Sequence, residues 1–155
     1  MEIYFDIETI PGQRAGLREE LAEDIKHPAT MSKPETIAKW EKEDKPAAVE
    51  EAYLKTSFDG CMGQIVCIGW AVRGNEPASL FPRDLRVISE ECLIAGFFER
   101  LESVHNTSGT RPILIGHNHI AFDIPFIWKR AIVHGIKPPI WFPRNPKPWA
   151  ESVVD

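Results

Sequence analysis

Two carboxylates near the N-terminus stand at a spacing that suits a metal ion. Asp6 and Glu8 are two residues apart in a segment, residues 2–10, that is rich in β-branched and aromatic residues. Because side chains of a strand alternate between its faces, both carboxylates project from the same face. Such neighbours repel, and a hard cation such as Mg²⁺ or Mn²⁺ between them relieves the repulsion. A lone D-x-E triplet is weak, since a chain with 23 acidic residues produces one readily by chance.

A third acid opens an apolar segment far along the chain. Asp123 lies in the run FDIPF, after a predicted strand at residues 112–116 and a polar loop, where an unpaired charge is costly. The local sequence leaves two interpretations open: Asp123 caps the following helix, or it joins a site with the N-terminal carboxylates. His117 and His119 do not predict zinc, because no cysteine or third histidine stands at ligand spacing.

The elements that must position these acids predict a mixed α/β sheet covered by helices. Strands are expected at residues 2–10, 64–72, 78–81 and 112–116, helices at residues 89–106 and 122–134, and a strand is beginning at residue 153. Ser89 should cap the first of these helices, and Gly135 should close the second. The second and third strands should form an antiparallel hairpin, because Arg73-Gly74-Asn75 is a turn sequence. Residues 13–59 are highly charged and divided by prolines, which predicts an insertion of two or three short helices.

Length and composition narrow the class of protein. A chain of 155 residues suits one domain, and 43% hydrophobic with 26% charged residues argues against wholesale disorder. The formal net charge of -5 excludes a general basic coat for nucleic acid, so a polyanion has to be met locally, through bound cations.

The remaining features predict a cytoplasmic protein that does not interact with a membrane. No apolar run approaches the roughly 18 residues of a membrane span, and the N-terminus begins as a strand rather than as a leader. Cys61, Cys67 and Cys92 form neither an even set nor a C-x-x-C pair and lie among apolar residues. They are predicted to be buried thiols in a reducing compartment.

The two acidic segments together resemble a known family. FDIET at residues 5–9 and the N-x-x-x-F-D pattern at residues 118–123 resemble the first two motifs of the DEDD superfamily of 3′-5′ exonucleases. The resemblance is to the predicted exonuclease family related to the proofreading domain of family-B DNA polymerases. It is carried by the segments FDIETIP, GHN and FDIPFIWKRA. The resemblance covers nearly all of the chain outside the helical insertion. It implies a ribonuclease H-like fold whose central strand carries Asp6 and Glu8.

The resemblance also implies a chemistry, the hydrolysis of nucleotides from the 3′ end of single-stranded DNA with two bound ions, Mg²⁺ or Mn²⁺. RNA stays open as a substrate. Asp6 would bridge both ions, Glu8 would hold the ion that carries the attacking water, and Asp123 would support the other ion.

Four further residues acquire roles through the same resemblance. Asn118 would contact the end of the substrate strand. Thr9, Ile10 and Phe122 would shape the pocket for the terminal nucleotide, by backbone contact and by stacking.

The chain departs from the family pattern after Asp123. The last acidic motif of the family, Y-x-x-x-D or H-x-x-x-x-D on a later helix, does not occur, and the only later acids are Glu151 and Asp155. The expected domain is therefore C-terminally incomplete, with a second chain or a missing C-terminal segment completing the site. The alternative is a catalytically inactive remnant of the fold that binds nucleic acid or protein.

Overall fold

Residues 1–81 and 89–155, which the computed structural model describes, form five strands and five α-helices. In chain order the elements are β1 (Glu2–Ile10), α1 (Leu17–Asp24), α2 (Pro34–Glu43), α3 (Lys45–Lys55), a 3₁₀ turn (Thr56–Phe58), β2 (Gln64–Val72), β3 (Ala78–Leu80), α4 (Glu90–Ser108), β4 (Ile113–Ile115), α5 (Asp123–Val133) and β5 (Val153–Val154).

The strands form one mixed sheet in the order β3-β2-β1-β4-β5. β1 pairs antiparallel with β2 and parallel with β4, and β2 forms the expected antiparallel hairpin with β3. β4 in turn pairs parallel with β5. This mixed α/β arrangement, with β1 in the middle, is consistent with the ribonuclease H-like fold that the motifs implied.

Alternation along β1 decides which face of the sheet is covered. Ile3, Phe5 and Ile7 are buried, whereas Asp6 and Glu8 are exposed on the other face. The buried side chains pack with Phe97 and Phe98 of α4 and with Ile124 and Ile127 of α5, among others, in one apolar core. Both helices therefore cover the face opposite the carboxylates, as the alternation predicted.

The two core helices begin and end at the residues that their sequences indicate. Ser89 caps α4, its hydroxyl accepting a hydrogen bond from the backbone N–H of Cys92 at 3.3 Å, and Gly109 ends that helix with φ at 63°. After α5, Gly135 takes a φ of 68°, which confirms it as the residue that closes the helix.

The charged segment at residues 13–59 contains three helices, α1 to α3, as expected. Proline occupies the first turn of α2 and of α3, where its missing N–H costs no hydrogen bond. Leu17, Trp40 and Tyr53 are buried and hold the segment together, while most of its charged side chains are exposed. The backbone N–H of Gly12 donates to the Thr56 hydroxyl at 3.0 Å, which ties the end of the segment to the end of β1.

The prediction of buried cysteines was wrong. Cys61 and Cys92 are exposed and Cys67 is half-buried. Cys61 lies in the turn after Gly60 and Cys92 on the outer side of the first turn of α4, so their apolar neighbours in sequence are not their neighbours in space. No helix in the described ranges combines the length and the apolar character needed to cross a bilayer.

Candidate active site

β1 presents Asp6 and Glu8 on the open face of the sheet. Their partners on β2 are Gly69 and Cys67, so no bulky side chain of that strand stands directly opposite them. The register then shifts between Glu8 and Thr9, and such bulges bend a strand and redirect its side chains. The carboxylates therefore lie at an accessible, locally distorted part of the central strand.

α5 brings Asp123 to the same strand from the core side. Asp123 is only 2% exposed, and its Oδ1 accepts a hydrogen bond from the backbone N–H of Ile7 at 3.1 Å. The residue at the N-cap position is Phe122, and no side chain caps this helix. The structure thus does not support the capping interpretation: Asp123 is the first helical residue and its carboxyl group contacts β1.

The electrostatics show that Asp6 and Asp123 lie close together. Burial, followed by the negative charge of Asp6, raises the pKa of Asp123 to about 6, although the hydrogen bond from Ile7 opposes the rise. A carboxyl group in this state is half protonated near pH 6 and repels its neighbour when it ionises. A divalent cation between the two carboxylates would neutralise that repulsion.

Glu8 shares the face of Asp6 but is not gathered with the aspartate pair. Its partner on β2 is Cys67, whose pKa is raised by burial and then by the charges of Glu8 and Asp6. In the ranges 1–81 and 89–155, no three His, Cys, Asp or Glu side chains are grouped closely enough to hold a metal ion. Of the three predicted ligands, the structure brings two together and leaves the third alongside.

The loop between β4 and α5 is fastened to β1 by His119, which the sequence analysis considered only as a zinc ligand. Its ring is fully buried, and Nε2 donates a hydrogen bond to the carbonyl oxygen of Phe5. Burial lowers the pKa of His119, so the ring is neutral near pH 7. A Cβ at position 116 would overlap this ring, which is why Gly116 precedes the loop.

The same loop exposes Asn118 and contacts the end of β5. Asn118 is exposed with φ at 58°, a left-handed conformation that asparagine tolerates better than most residues. The backbone N–H of His119 donates to Oδ1 of Asp155 at 2.6 Å. Asp155, one of the two acids after Asp123, therefore lies beside the loop that carries Asn118. The parallel pairing of β5 with β4 brings it there.

Beside the acids, the residues predicted to form a nucleotide pocket are half-buried and one more aromatic ring joins them. The hydroxyl of Thr9 donates to the carbonyl oxygen of Ser57 at 2.8 Å, and Ile10 continues β1 next to it. The ring of Phe122 lies 6.3 Å from that of Phe58, centroid to centroid. Sequence reasoning missed Phe58; its signal was a single large aromatic residue at the end of a highly charged segment.

Comparison with known proteins identifies the family of the chain. The model of a family described as a predicted 3′-5′ exonuclease related to the exonuclease domain of PolB matches residues 52–153, about two thirds of the chain. No curated protein matches significantly. The matched range contains Asn118, Phe122 and Asp123, while Asp6 and Glu8 precede it and are joined to it through the contact of Asp123 with β1. The chain belongs to this family of predicted 3′-5′ exonucleases related to the exonuclease domain of PolB.

Proposed function

We propose that this protein is a metal-dependent 3′-5′ exonuclease that removes nucleotides from the end of single-stranded DNA. The observation that carries the proposal is the proximity of a buried aspartate to an exposed one. Asp123, 2% exposed, accepts a hydrogen bond from the backbone N–H of Ile7, next to Asp6 in β1, and its pKa is raised by burial and by Asp6. A perturbed carboxyl group beside a second carboxylate favours a functional site over a merely structural one. Membership of an exonuclease-related family supports the reaction class.

The donor set fits a hard divalent cation. Carboxylate oxygens are the ligands that Mg²⁺ and Mn²⁺ prefer. The pKa of Asp123 is set by burial, by Asp6 and by backbone hydrogen bonds, and not by a cationic side chain. Asp6 and Asp123 would hold one ion, and Glu8, on the same face as Asp6, would contribute to a second. Bound ions of this kind acidify a water molecule and stabilise the leaving 3′ oxygen.

The remaining residues would bind and orient the strand. Asn118 offers its amide from an exposed position, with a backbone that Gly116 and the buried His119 hold in place. Thr9, Ile10 and Phe122 offer a half-buried surface for the last nucleotide. Because stacking on an aromatic ring and contact with an exposed amide both need a base that is not paired, a single-stranded 3′ end is the substrate that we propose.

A second candidate function, nucleic-acid or protein binding without cleavage, is favoured by one specific observation. No cluster of three ligands for a metal is assembled within the described parts of the chain. With two carboxylates, a cation would bind in about the millimolar range of weak oxygen sites. Cleavage would then need a further acid from a second chain or from a segment beyond Asp155.

The assay that tests the proposal compares Asp6→Asn with the wild-type chain on single-stranded DNA labelled away from its 3′ end. We expect shortening that depends on Mn²⁺ or Mg²⁺, stronger with Mn²⁺, and a loss of at least about 100-fold in the variant, of the order that loss of a key electrostatic group causes. Asp24→Asn, an exposed aspartate at the end of α1, is the matched control and should retain full activity.

The outcomes separate the two candidate functions. Binding of the strand without shortening, even at millimolar Mn²⁺, would favour the non-catalytic function. Equal activity of Asp6→Asn and the wild type would contradict the role of β1 as the metal-binding strand.

A further inference from the structure

Phe58 is a large apolar side chain that the fold leaves in solvent. It ends the 3₁₀ turn and is 73% exposed, in contrast to Tyr53 one turn earlier, which is 8% exposed. Single exposed apolar residues are common on protein surfaces and need no function. The surroundings of Phe58 therefore decide whether it has one.

The backbone around Phe58 is fixed, so its ring is not on a loose loop. The hydroxyl of Thr56 donates to the carbonyl oxygen of Tyr53 at 2.7 Å, which joins the 3₁₀ turn to α3. Immediately after Phe58, the carboxylate of Asp59 accepts from the backbone N–H of Cys61 at 2.9 Å and from Nζ of Lys129 at 3.2 Å. A Cβ at Gly60 would lie 3.1 Å from the Lys129 side chain, so the turn approaches α5 closely.

The ring of Phe58 also lies beside the proposed pocket for the terminal nucleotide. Its centroid is 6.3 Å from that of Phe122, with the ring planes at 58°. The preceding residue, Ser57, accepts the hydrogen bond of Thr9 at the end of β1. Of the two rings, that of Phe122 is half-buried and that of Phe58 is exposed to solvent.

We propose that Phe58 stacks on the unpaired base at the 3′ end of the substrate strand. The inference rests on the proposed exonuclease function and adds a specificity-determining residue from the turn after α3, outside the two motifs that carry the acids. Every base has a π face, so stacking of this kind selects an unpaired end over a base-paired one without selecting a sequence. An exposed ring on a fixed backbone suits this role, because little conformational freedom is lost on binding.

The test measures binding apart from cleavage, in the absence of divalent cations. Two oligothymidylates are compared, one ending in an ordinary 3′ nucleotide and one whose last nucleotide lacks the base. We expect Phe58→Ala to bind the ordinary strand about tenfold more weakly than the wild type does, within the range of base–aromatic stacking. The base-less strand should bind both proteins equally, and Phe58→Tyr should bind like the wild type.

Phe81→Ala is the matched control, because Phe81 is 53% exposed and directly follows β3, an edge strand that β2 separates from β1. It should leave both affinities unchanged. Equal binding of the ordinary strand by Phe58→Ala and the wild type would overturn the stacking role and leave the exonuclease proposal standing. An equal loss on both strands would also overturn it, since the base would then not be the group contacted. If the wild type binds neither strand in this test and also cleaves no single-stranded DNA when Mn²⁺ is added, both proposals fail together.

Discussion

Two buried carboxylates of this protein, Glu90 and Asp123, have neighbours of opposite charge. Glu90, 5% exposed at the start of α4, accepts hydrogen bonds from Arg130 Nε at 2.9 Å, from the backbone N–H of Ile65 at 2.7 Å and from His134 Nε2 at 2.7 Å. Burial alone would raise the pKa of Glu90, but these donors outweigh it and the pKa is lowered. Asp123, equally buried, meets the negative Asp6 and has its pKa raised to about 6.

The difference distinguishes a carboxylate whose charge is balanced within the fold from one that the proposed function assigns to metal binding. The charge of Glu90 is balanced within the fold by Arg130, so the pair links α4, β2 and α5 without any ligand. The charge of Asp123 is opposed within the fold, so full ionisation of the aspartate pair costs free energy unless a cation arrives. Removing a hydrogen-bond donor to Glu90 should therefore lower the stability of the fold. Neutralising Asp123 should instead lower the proposed activity.

The largest expected effect comes from breaking the balanced pair. Arg130→Met leaves Glu90 buried without its guanidinium partner, which should lower the free energy of unfolding by about 3–5 kcal/mol in urea denaturation. Arg14→Gln is the control, because the ion pair of Arg14 with Glu20 is exposed and should leave the unfolding midpoint unchanged. Adding Glu90→Gln to Arg130→Met should recover part of the loss. A loss in Arg130→Met no greater than that of the control would mean that Glu90 is not held by this contact.

A smaller effect, with a distinct dependence on pH, is expected from Asp123→Asn. The folded pKa of about 6 lies above the ordinary 3.8, so the folded state holds this proton more tightly. The contribution of Asp123 to stability is therefore fully present below about pH 4 and is lost as pH rises towards 6. The unfolding free energy of the wild type, relative to the Asn variant, should fall by about 2–3 kcal/mol from pH 4 to 7.

Magnesium supplies the complementary measurement at pH 7. We expect about 1.4 kcal/mol of stabilisation of the wild type at an ion concentration ten times its dissociation constant, and less of the variant. A wild-type curve parallel to that of Asp123→Asn from pH 4 to 7 would contradict the opposed-charge interpretation.

The smallest effect is expected from removing His134, the third donor to Glu90. His134→Gln removes one of three donors to Glu90 while Arg130 and the backbone N–H of Ile65 remain, and the His134 side chain is 25% exposed. Loss of one hydrogen bond of this kind should cost about 0.5–1.5 kcal/mol by urea denaturation at pH 7. A loss as large as that of Arg130→Met would show that the imidazole, rather than the guanidinium, holds Glu90 in place.

Local sequence predicted the elements of this fold well because the signals were local. The alternation in β1, the serine cap of α4 and the glycine after α5 each depend on a few adjacent residues, and the structure confirms all three. The exposure of Cys61 and Cys92 was not predictable in this way, since burial depends on neighbours that are distant in sequence.

The candidate site shows the same division. The motifs singled out Asp6, Glu8 and Asp123, whose role in the site stays a prediction, and the shared face of Asp6 and Glu8 followed from strand periodicity. The contact between Asp123 and Ile7 joins residues 116 positions apart, and the buried bond of His119 to Phe5 joins residues 114 apart. No periodicity carries such information. The position of Phe58 beside Phe122 likewise depends on how the turn after α3 packs on α5.

The central place of β1 has a consequence for how the chain folds during synthesis. β1 emerges from the ribosome well before its neighbours β2 and β4, which begin at residues 64 and 113. At about 5–20 residues per second, roughly 5–20 s pass between the end of β1 and the completion of β4. Throughout that time Ile3, Phe5 and Ile7 lack the core that buries them. Helices α1 to α3 rest on local contacts and can form within this interval, whereas the carboxylate strand is assembled late and is the segment most exposed to aggregation.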